Sequence, residues 1–511
     1  MNNISTYFLQ AELSQAAYGT FSGKTIRTIE LTENDVSMST SQAAAFTEKW
    51  QVADQYTDPI TGVSATVFEA KEGGAKYLAI RGTEFSGNDL LTDGILASAI
   101  PPFLNPQFIA LKLQIDAWLS DPNVLQNHSF TVSGHSLGGY LASSVKQVYS
   151  QVSDVYLYNA PGVSGLQGNL ADAVSGVFGI RSIAADNIWN IRGSEGFPII
   201  AGLGYQLGSS VSIQTEASAN NHSISLLTDA LAVSSAYSRL VPSLDQEQLS
   251  KLIDAFGSTK DMAGASNGKM LESALDALRT ILLNPADGSM VLGDNQKTEM
   301  GNRDIFYTNL YELQNSMQIK DSVGKAQLAL LHDLSASDII TRIESDSQQG
   351  LAARFALVAL NPFILEGADI DYGVFNANGA LDRFSPESGS GALTSAYLVD
   401  RMAMLMRKNW FNIEDKNPLD STVTFSSGNH SYQNINDYYE DTATGYKISQ
   451  GELSGSTPRY FFGGDDVDNP AASAAEDHFY GGGGEDVYKR QLVARSRIFI
   501  VIINILIAMI A

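Results

Sequence analysis

Two hydrophobic patterns alternate along the first 240 residues. Short apolar runs rich in β-branched and aromatic residues predict strands, and the intervening stretches repeat apolar residues every three or four positions, as amphipathic helices do. The predicted strands cover residues 64–70 and 77–80, joined by a turn at Gly73-Gly74, followed by residues 130–133, 154–159 and 187–191. This alternation predicts an α/β domain over residues 1–240.

The remainder of the chain changes character twice. Residues 241–408 carry mainly helical patterns, including predicted helices at 351–360 and about 394–408 with a linker at 385–391 between them. Residues 409–490 are polar and rich in Asn, Asp, Gly, Ser and Tyr. The pattern therefore predicts a mainly helical region followed by a polar one.

The two ends of the chain bear on targeting. Residues 1–20 lack a basic region followed by an apolar run and predict an amphipathic helix, so we expect no N-terminal signal peptide. Residues 492–511 contain no acidic side chain, and from Ile498 onward Asn504 interrupts an otherwise apolar run. That run is short for a bilayer span, which takes about 20 residues, so we expect no stable membrane span. Residues 491–511 are predicted to be a foreign or artefactual tail, with a genuine tail anchor as the alternative.

Composition excludes several classes of function. Lys and Arg total 32 against 56 Asp and Glu, giving a net charge of −24 that repels nucleic acid and anionic membranes. The chain has no cysteine, so disulfides and thiol chemistry are excluded. In a secreted protein, calcium sites would have to replace disulfides as cross-links.

The segment Gly134-His135-Ser136-Leu137-Gly138-Gly139 carries the clearest catalytic signal. It follows the predicted strand 130–133 and opens an amphipathic stretch, which is the strand–turn–helix context of a nucleophile elbow. Side chains at Gly134 and Gly138 would collide with neighbouring backbone, and the sharp turn exposes the Ser136 hydroxyl above a helix N-terminus. The alternative is a small-residue turn without function. The context favours a serine hydrolase.

A serine nucleophile needs a general base, and the six histidines offer two candidates. His222 lies in a polar loop before a predicted helix, inside the α/β domain and after the candidate acids, in the order Ser, acid, His. His430 lies beyond the long helical region. The others are excluded by their predicted positions: His135 is inside the elbow, His128 is at the opposite end of the strand, His332 is in a helical stretch, and His478 is in the repeat region. We predict His222 as the base.

The acid and the oxyanion donors are expected at the carboxyl ends of parallel strands. Asp186 precedes the strand 187–191 whereas Glu195 follows it, so Glu195 is the preferred acid and Asp186 the alternative. The backbone N–H of Leu137 is one expected oxyanion donor, and Thr83, after the strand 77–80, is the other.

A glycine-rich nonapeptide lies near the end of the polar region. Residues 481–489 fit the Gly-Gly-x-Gly-x-Asp-x-apolar-x repeat of calcium-binding parallel β-rolls, and 462–466 form an imperfect relative. We predict the start of such a roll, with Ca²⁺ bound around Gly481, Gly482, Gly484 and Asp486. Since a roll needs at least about three repeats to bury a core, the pieces present cannot stand alone. A glycine-rich loop is the alternative.

Several stretches of residues 1–240 resemble the class 3 lipases, an α/β-hydrolase family of triacylglycerol lipases and related esterases. The resemblance rests on 77–83 with Asp93 downstream, on 134–139, on 159–162 and on 195–198. The last block corresponds to the family's Asp-x-Val-Pro, so this chain departs by placing Glu195 where the family mostly has Asp. The resemblance also implies that Thr83 is the oxyanion residue.

A second resemblance concerns the later part of the chain. Residues from about 350 to 488 look like the region that precedes the repeats of RTX-type bacterial lipases. This likeness implies an extracellular protein exported through a type I secretion channel, whose C-terminal signal would be missing here.

These features predict a secreted carboxylic ester hydrolase that acts through an acyl-enzyme on Ser136, without a catalytic cofactor, on a lipid or other ester at a lipid–water interface. The apolar segment 95–104, broken by Pro101 and Pro102, is a candidate lid, or alternatively a buried loop. Phospholipase A1 and polyester hydrolase activity are alternatives within the class. A calcium-dependent surface or adhesion protein with a vestigial hydrolase domain is the alternative from another class.

Overall fold

The structure is a computed structural model of the chain. The residues it describes are 3–33, 35–82, 104–162, 186–194, 208–215, 223–257, 270–283, 303–316, 322–367, 370–414, 425–427, 430–432, 437–449, 454–464, 468, 470, 473–482 and 499–500. The chain divides into two compact units, one formed by Met1–Ser238 with Arg303–Thr308 and the other by Arg239–Asn302 with Asn309–Ala511.

Strands and helices alternate in the first unit after an N-terminal helical stretch. Its elements are α1 (Asn3–Ala16), α2 (Thr28–Thr32), α3 (Thr40–Lys49), β1 (Trp50–Thr57), β2 (Ser64–Ala70), β3 (Lys76–Ile80), α4 (Pro106–Ser120), β4 (Phe130–His135), α5 (Leu137–Val148), β5 (Val152–Tyr158), β6 (Ile188–Gly193), β7 (Ser209–Ile213) and α6 (Ile224–Leu240). Strand β2 occupies the predicted residues, and β3 to β6 differ from their predicted ranges by at most two residues at either end.

The seven strands form one sheet in the order β1-β2-β3-β4-β5-β6-β7. Strands β1, β2 and β3 pair antiparallel, and β3 to β7 pair parallel. Ile80 pairs with Gly134, and His135 pairs with Tyr158, so the carboxyl ends of β3, β4 and β5 meet at one edge. A mixed sheet with five parallel strands and crossover helices supports an α/β-hydrolase domain.

Each face of this sheet carries its own core, because strand side chains alternate between faces. On one face, α4 and α5 pack Leu111, Ile115, Trp118, Leu141 and Val145 against Val67, Leu78, Val132 and Val155. On the other face, helices α1 to α3 pack Leu13, Leu31 and Phe46 against Phe68 and Ala79. Each fully buried side chain of this size stabilises the fold by about 1.5–3 kcal/mol.

Helix α1 is buried more completely than its amphipathic pattern predicts. Polar Gln10, Glu12 and Gln15 are buried together with its apolar residues. Gln15 Nε2 donates to the Val36 carbonyl at 2.9 Å, and Gln42 Nε2 lies 3.4 Å from Glu12 Oε1. Hydrogen-bond partners from later in the chain thus allow the polar side chains of α1 to be buried.

The second unit contains helices and short strands. Its elements are α7 (Gln246–Phe256), α8 (Met270–Leu283), α9 (Arg303–Asn315, whose first six residues belong to the first unit), β8 (Ala326–Leu330), α10 (Ala336–Ile343), α11 (Gln348–Val358), β9 (Phe363–Gly367), α12 (Ser395–Ile413), β10 (Phe425–Ser427), β11 (His430–Tyr432), β12 (Tyr438–Asp441), β13 (Tyr446–Ser449), β14 (Arg459–Phe462), β15 (His478–Tyr480) and β16 (Phe499–Ile500). The predicted helices at 351–360 and 394–408 correspond to α11 and α12. The antiparallel pair β8–β9 has no counterpart in the prediction.

The polar region forms a small sheet in the order β13-β12-β14-β15-β16. Strands β12, β14, β15 and β16 pair parallel, which brings Tyr439, Tyr460 and His478 into one row. The predicted β-roll itself stays a prediction. No helix in the described part of the chain is both long and apolar enough to cross a membrane.

Candidate active site

Ser136 occupies the turn between β4 and α5. Its backbone has φ 55° and ψ −129°, a conformation that a residue with a side chain rarely adopts. The Ser136 N–H donates to the Tyr158 carbonyl at 2.9 Å, and the Ser136 carbonyl accepts from the Gly139 N–H at 2.9 Å. These bonds fix the strained turn at the carboxyl edge of the sheet, directly before the N-terminus of α5.

Close backbone contacts explain the glycines on either side. A Cβ atom at Gly134 would lie 2.5 Å from the Gly138 carbonyl carbon, and one at Gly138 would lie 2.8 Å from the Arg81 carbonyl carbon, whereas Cβ atoms essentially never come within 3.0 Å of another heavy atom. The sharp turn thus depends on glycine at both positions.

His135 forms its own contact behind the turn. Its Nδ1 lies 2.8 Å from the Tyr18 hydroxyl, at hydrogen-bond distance. Tyr18 follows α1 and is 117 residues away in sequence, so no local pattern predicts this pair. His135 therefore links the elbow to the N-terminal segment.

The structure describes one of the two predicted oxyanion donors. Leu137 is the first residue of α5, where backbone N–H groups lack helical partners. Gly82 lies beside Ser136, since a Cβ placed on it would be 3.1 Å from Ser136 Cβ. Thr83 and the candidate lid, apart from Leu104, lie outside the described residues. The residue directly before Thr83 therefore lies adjacent to Ser136.

Both remaining triad candidates, Glu195 and His222, also lie outside the described residues, but their flanks are described. Ser194, directly before Glu195, follows the carboxyl end of β6, and its N–H donates to the Ile213 carbonyl at 2.8 Å. The Asn159 side chain accepts from the Gly193 N–H at 3.1 Å and so joins the ends of β5 and β6. Asp186 precedes β6 and lies at the opposite edge of the sheet. The residue before Glu195 therefore lies at the edge that carries Ser136, whereas Asp186 does not.

Helix α6, which begins two residues after His222, is anchored by a partly buried ion pair that sequence analysis missed. Arg303 Nη2 lies 2.6 Å and Arg303 Nε lies 2.9 Å from the Asp229 carboxylate, which also accepts from the Tyr307 hydroxyl at 2.7 Å. Burial alone would lower the pKa of Arg303, but Asp229 and Tyr307 outweigh it and raise that pKa. Asp229 and Arg303 are 74 residues apart, so no spacing rule identifies the pair.

The other histidines occupy separate positions. His128 precedes β4 and is at the opposite end of that strand from Ser136. His332 and His478 belong to the second unit, where Nδ1 of each lies close to a carboxylate, at 2.9 Å from Asp333 and at 2.5 Å from Asp400. His430 opens β11, which pairs with β10.

For a metal, the described residues offer little. Among them, no group of three or more His, Asp or Glu side chains could hold an ion. Gly481 and Gly482 follow β15, and a Cβ on Gly463 would lie 2.9 Å from the Gly482 nitrogen, so the two glycine-rich turns are stacked. Gly484 and Asp486 lie outside the described residues.

Comparisons with known proteins give distant structural likenesses. The Lip2 lipase of Yarrowia lipolytica is 20% identical with a TM-score of 0.29, and the match covers 41% of this chain and 78% of that one. Lipase II of Rhizopus niveus is 16% identical with a TM-score of 0.26, covering 42% and 82% of the two chains, and a triacylglycerol lipase of Penicillium expansum is 17% identical with a TM-score of 0.27, covering 42% and 81%. No family model and no curated protein matches. Because these TM-scores are below 0.5, fold and function rest on this chain's own geometry.

Proposed function

We propose that the chain is a carboxylic ester hydrolase of the triacylglycerol lipase type, with Ser136 as nucleophile. The observation that carries the proposal is the strained backbone of Ser136, held between β4 and α5 where its flanking glycines admit no side chain. A non-glycine residue in this conformation costs about 1–3 kcal/mol, a cost typical of functional sites.

The proposed reaction proceeds through an acyl-enzyme. His222 takes the proton of the Ser136 hydroxyl as its oxygen attacks the ester carbonyl carbon, and Glu195 stabilises the resulting imidazolium. The N–H of Leu137, with Thr83, stabilises the oxyanion. His222 then protonates the departing alcohol. A water molecule, deprotonated by His222, attacks the acyl carbon, and the proton passes from His222 to the departing Ser136 oxygen, which releases the carboxylic acid.

Covalent labelling tests the nucleophile directly. A fluorophosphonate should modify Ser136 alone, and Ser136→Ala should abolish both labelling and hydrolysis of p-nitrophenyl butyrate. Ser143→Ala, a change of the same type in helix α5, is the matched control and should keep both. A folded protein that is not labelled at Ser136 would refute the proposal.

Paired variants separate the candidates for base and acid. His222→Ala should lower kcat by several orders of magnitude whereas His430→Ala leaves it unchanged, because triad members act as a unit. Glu195→Gln should likewise inactivate the enzyme, and Asp186→Asn should not. The reverse result in either pair reassigns that role.

We propose triacylglycerol at a lipid–water interface as the substrate, with phospholipid and polyester as alternatives. Rates on a triglyceride emulsion, phosphatidylcholine vesicles and a polyester film, each compared with the soluble p-nitrophenyl ester, distinguish these classes.

A candidate lid at 95–104 predicts that polar substitutions within 100–104 reduce hydrolysis of the emulsion more than that of the soluble ester. Equal losses on both substrates would exclude a lid.

A second candidate function is that of a calcium-dependent surface or adhesion protein, favoured by the parallel strands β14 and β15, each of which leads into a glycine-rich turn. For either function we propose that Ca²⁺ binds around Gly481, Gly482, Gly484 and Asp486. Asp486→Asn should then reduce the calcium-induced rise in melting temperature.

We also propose that the protein is extracellular and exported by a type I channel, which fractionation of a producing culture tests.

A further inference from the structure

Helix α4 presents an apolar stripe to solvent. Ile109 and Leu113, one helical turn apart, are 45% and 67% exposed, and Leu104, just before the helix, is 61% exposed. Pro106 and Ala117 lie on the same face and are also exposed. The opposite side of the helix packs into the core, so the stripe is additional to the residues that stabilise the fold.

This stripe begins at the edge of the sheet that carries Ser136. The turn between β1 and β2 lies at the same edge, because the Arg81 N–H, just after β3, donates to the Ser64 carbonyl at 3.0 Å. Gln107 Nε2 of α4 donates to the Thr61 carbonyl in that turn at 3.0 Å. Ile60 of the turn is 90% exposed. We call Ile60, Leu104, Ile109 and Leu113 the apolar rim.

The charged groups beside the rim are an ion pair and a carboxylate, and neither favours an anionic surface. Lys112 Nζ lies 2.7 Å from Asp116 Oδ2, and the other Asp116 oxygen accepts from the Tyr149 hydroxyl at 2.7 Å. Asp58 accepts from the N–H and hydroxyl of Thr61 within the turn. The rim therefore matches an uncharged surface, and the net charge of −24 opposes an anionic one.

We propose that the apolar rim docks the first unit onto neutral or zwitterionic lipid, so that the Ser136 edge faces the lipid–water interface. Leu113 lies about 10 Å along the helix from Pro106, which is within the depth that interfacial helices reach. Docking would bring Ser136 to its ester substrate, so the proposal rests on the proposed ester hydrolase function. The docking step itself requires neither catalysis nor calcium.

Vesicle binding by the full chain tests the rim without hydrolysis. In a Ser136→Ala background, the triple variant Ile60→Ser, Ile109→Ser and Leu113→Ser, which leaves the candidate lid unchanged, should bind phosphatidylcholine vesicles about 100-fold more weakly in co-sedimentation. Ile29→Ser is the matched control, since Ile29 is 59% exposed but lies on α2, over the other face of the sheet. Adding phosphatidylglycerol should not strengthen binding.

With Ser136 intact, the triple variant should hydrolyse p-nitrophenyl butyrate normally and a triglyceride emulsion more slowly. Equal vesicle binding by the triple variant and its parent would overturn the proposal. So would a triple variant that changes a dimer to a monomer without affecting vesicle binding, because the rim would then join two copies of the chain. Rim-dependent vesicle binding by a protein without esterase activity would overturn the proposed function and leave the docking surface standing.

Discussion

Replacing Gly138 by Ala tests whether the elbow geometry matters for catalysis. The new Cβ would lie 2.8 Å from the Arg81 carbonyl carbon and closer still to the Ile80 carbonyl oxygen, so backbone must move because neither neighbour is a flexible side chain. The end of β3 and the start of α5 must separate by a displacement on the order of 1 Å, an amount that costs about 100-fold in rate when it misplaces reacting groups.

The displaced segments carry both proposed oxyanion donors. Leu137 begins α5, and Thr83 follows Gly82 after β3. An oxyanion donor must lie within about 2.7–3.1 Å of the oxygen it stabilises, and loss of one donor costs roughly 100- to 1,000-fold in rate. We therefore expect Gly138→Ala to lower kcat/KM by that factor and to destabilise the fold by about 1–3 kcal/mol through overpacking.

The assay is hydrolysis of p-nitrophenyl butyrate, with rates normalised to active sites titrated by a fluorophosphonate and with thermal unfolding followed by circular dichroism. Gly23→Ala is the matched control, because no heavy atom of its surroundings lies within 4 Å of a Cβ at that glycine and its φ is not left-handed. Activity within about two-fold of the parent in a folded Gly138→Ala variant would refute the reasoning, since it would mean that donor geometry does not limit the rate.

Three further predictions concern polar contacts. Tyr18→Phe removes the hydroxyl 2.8 Å from His135 Nδ1 and should lower the free energy of unfolding in urea by about 1–3 kcal/mol; an unchanged midpoint would contradict this. The hydrogen bond with Asp400 raises the pKa of His478. The stability that this pair adds to the fold is therefore complete below the unfolded pKa of about 6.5 and is lost as pH rises through the folded pKa. Asp400→Asn should remove this pH dependence from melting curves. Burial lowers the pKa of Lys408 to about 7, so stability should rise between about pH 7 and 10 by up to about 1.4 kcal/mol per unit, and Lys408→Met should flatten this slope.

The elbow was predictable because its determinants are local. A β-rich run, a serine between glycines and an amphipathic stretch occupy residues 130–149, and the structure has β4, the left-handed Ser136 and α5 in that order. The bounds of β2 to β6 were predictable for a similar reason, since the apolar run that marks each of these strands is local, whereas β1 and β7 were not predicted.

Contacts between distant residues were not predictable in this way. The partly buried pair Asp229–Arg303 and the pairing of β8 with β9 join residues far apart in sequence, and neither leaves a periodic signal. Polar Glu12 in α1 was misleading for the same reason, because its burial depends on Gln42. Periodicity identifies which face of an element is apolar, whereas pairing of buried polar groups is decided by the tertiary fold.

The polar region shows how a small parallel sheet is covered. Two or three parallel strands bury too little by themselves, and parallel sheets need cover on both faces. On one face, Phe461 and Phe479 stack with ring centroids 5.1 Å apart. On the other, α12 supplies the cover: the ring of its Tyr397 lies 5.6 Å from that of Phe462, and the guanidinium of Arg401 lies 4.8 Å above the same ring. Tyr460 pairs with His478 across an 18-residue offset, so the strands of this row are separated by long connections and α12 covers the row at its beginning. Cover from a preceding helix therefore stabilises parallel strands that are too few to bury a core by themselves.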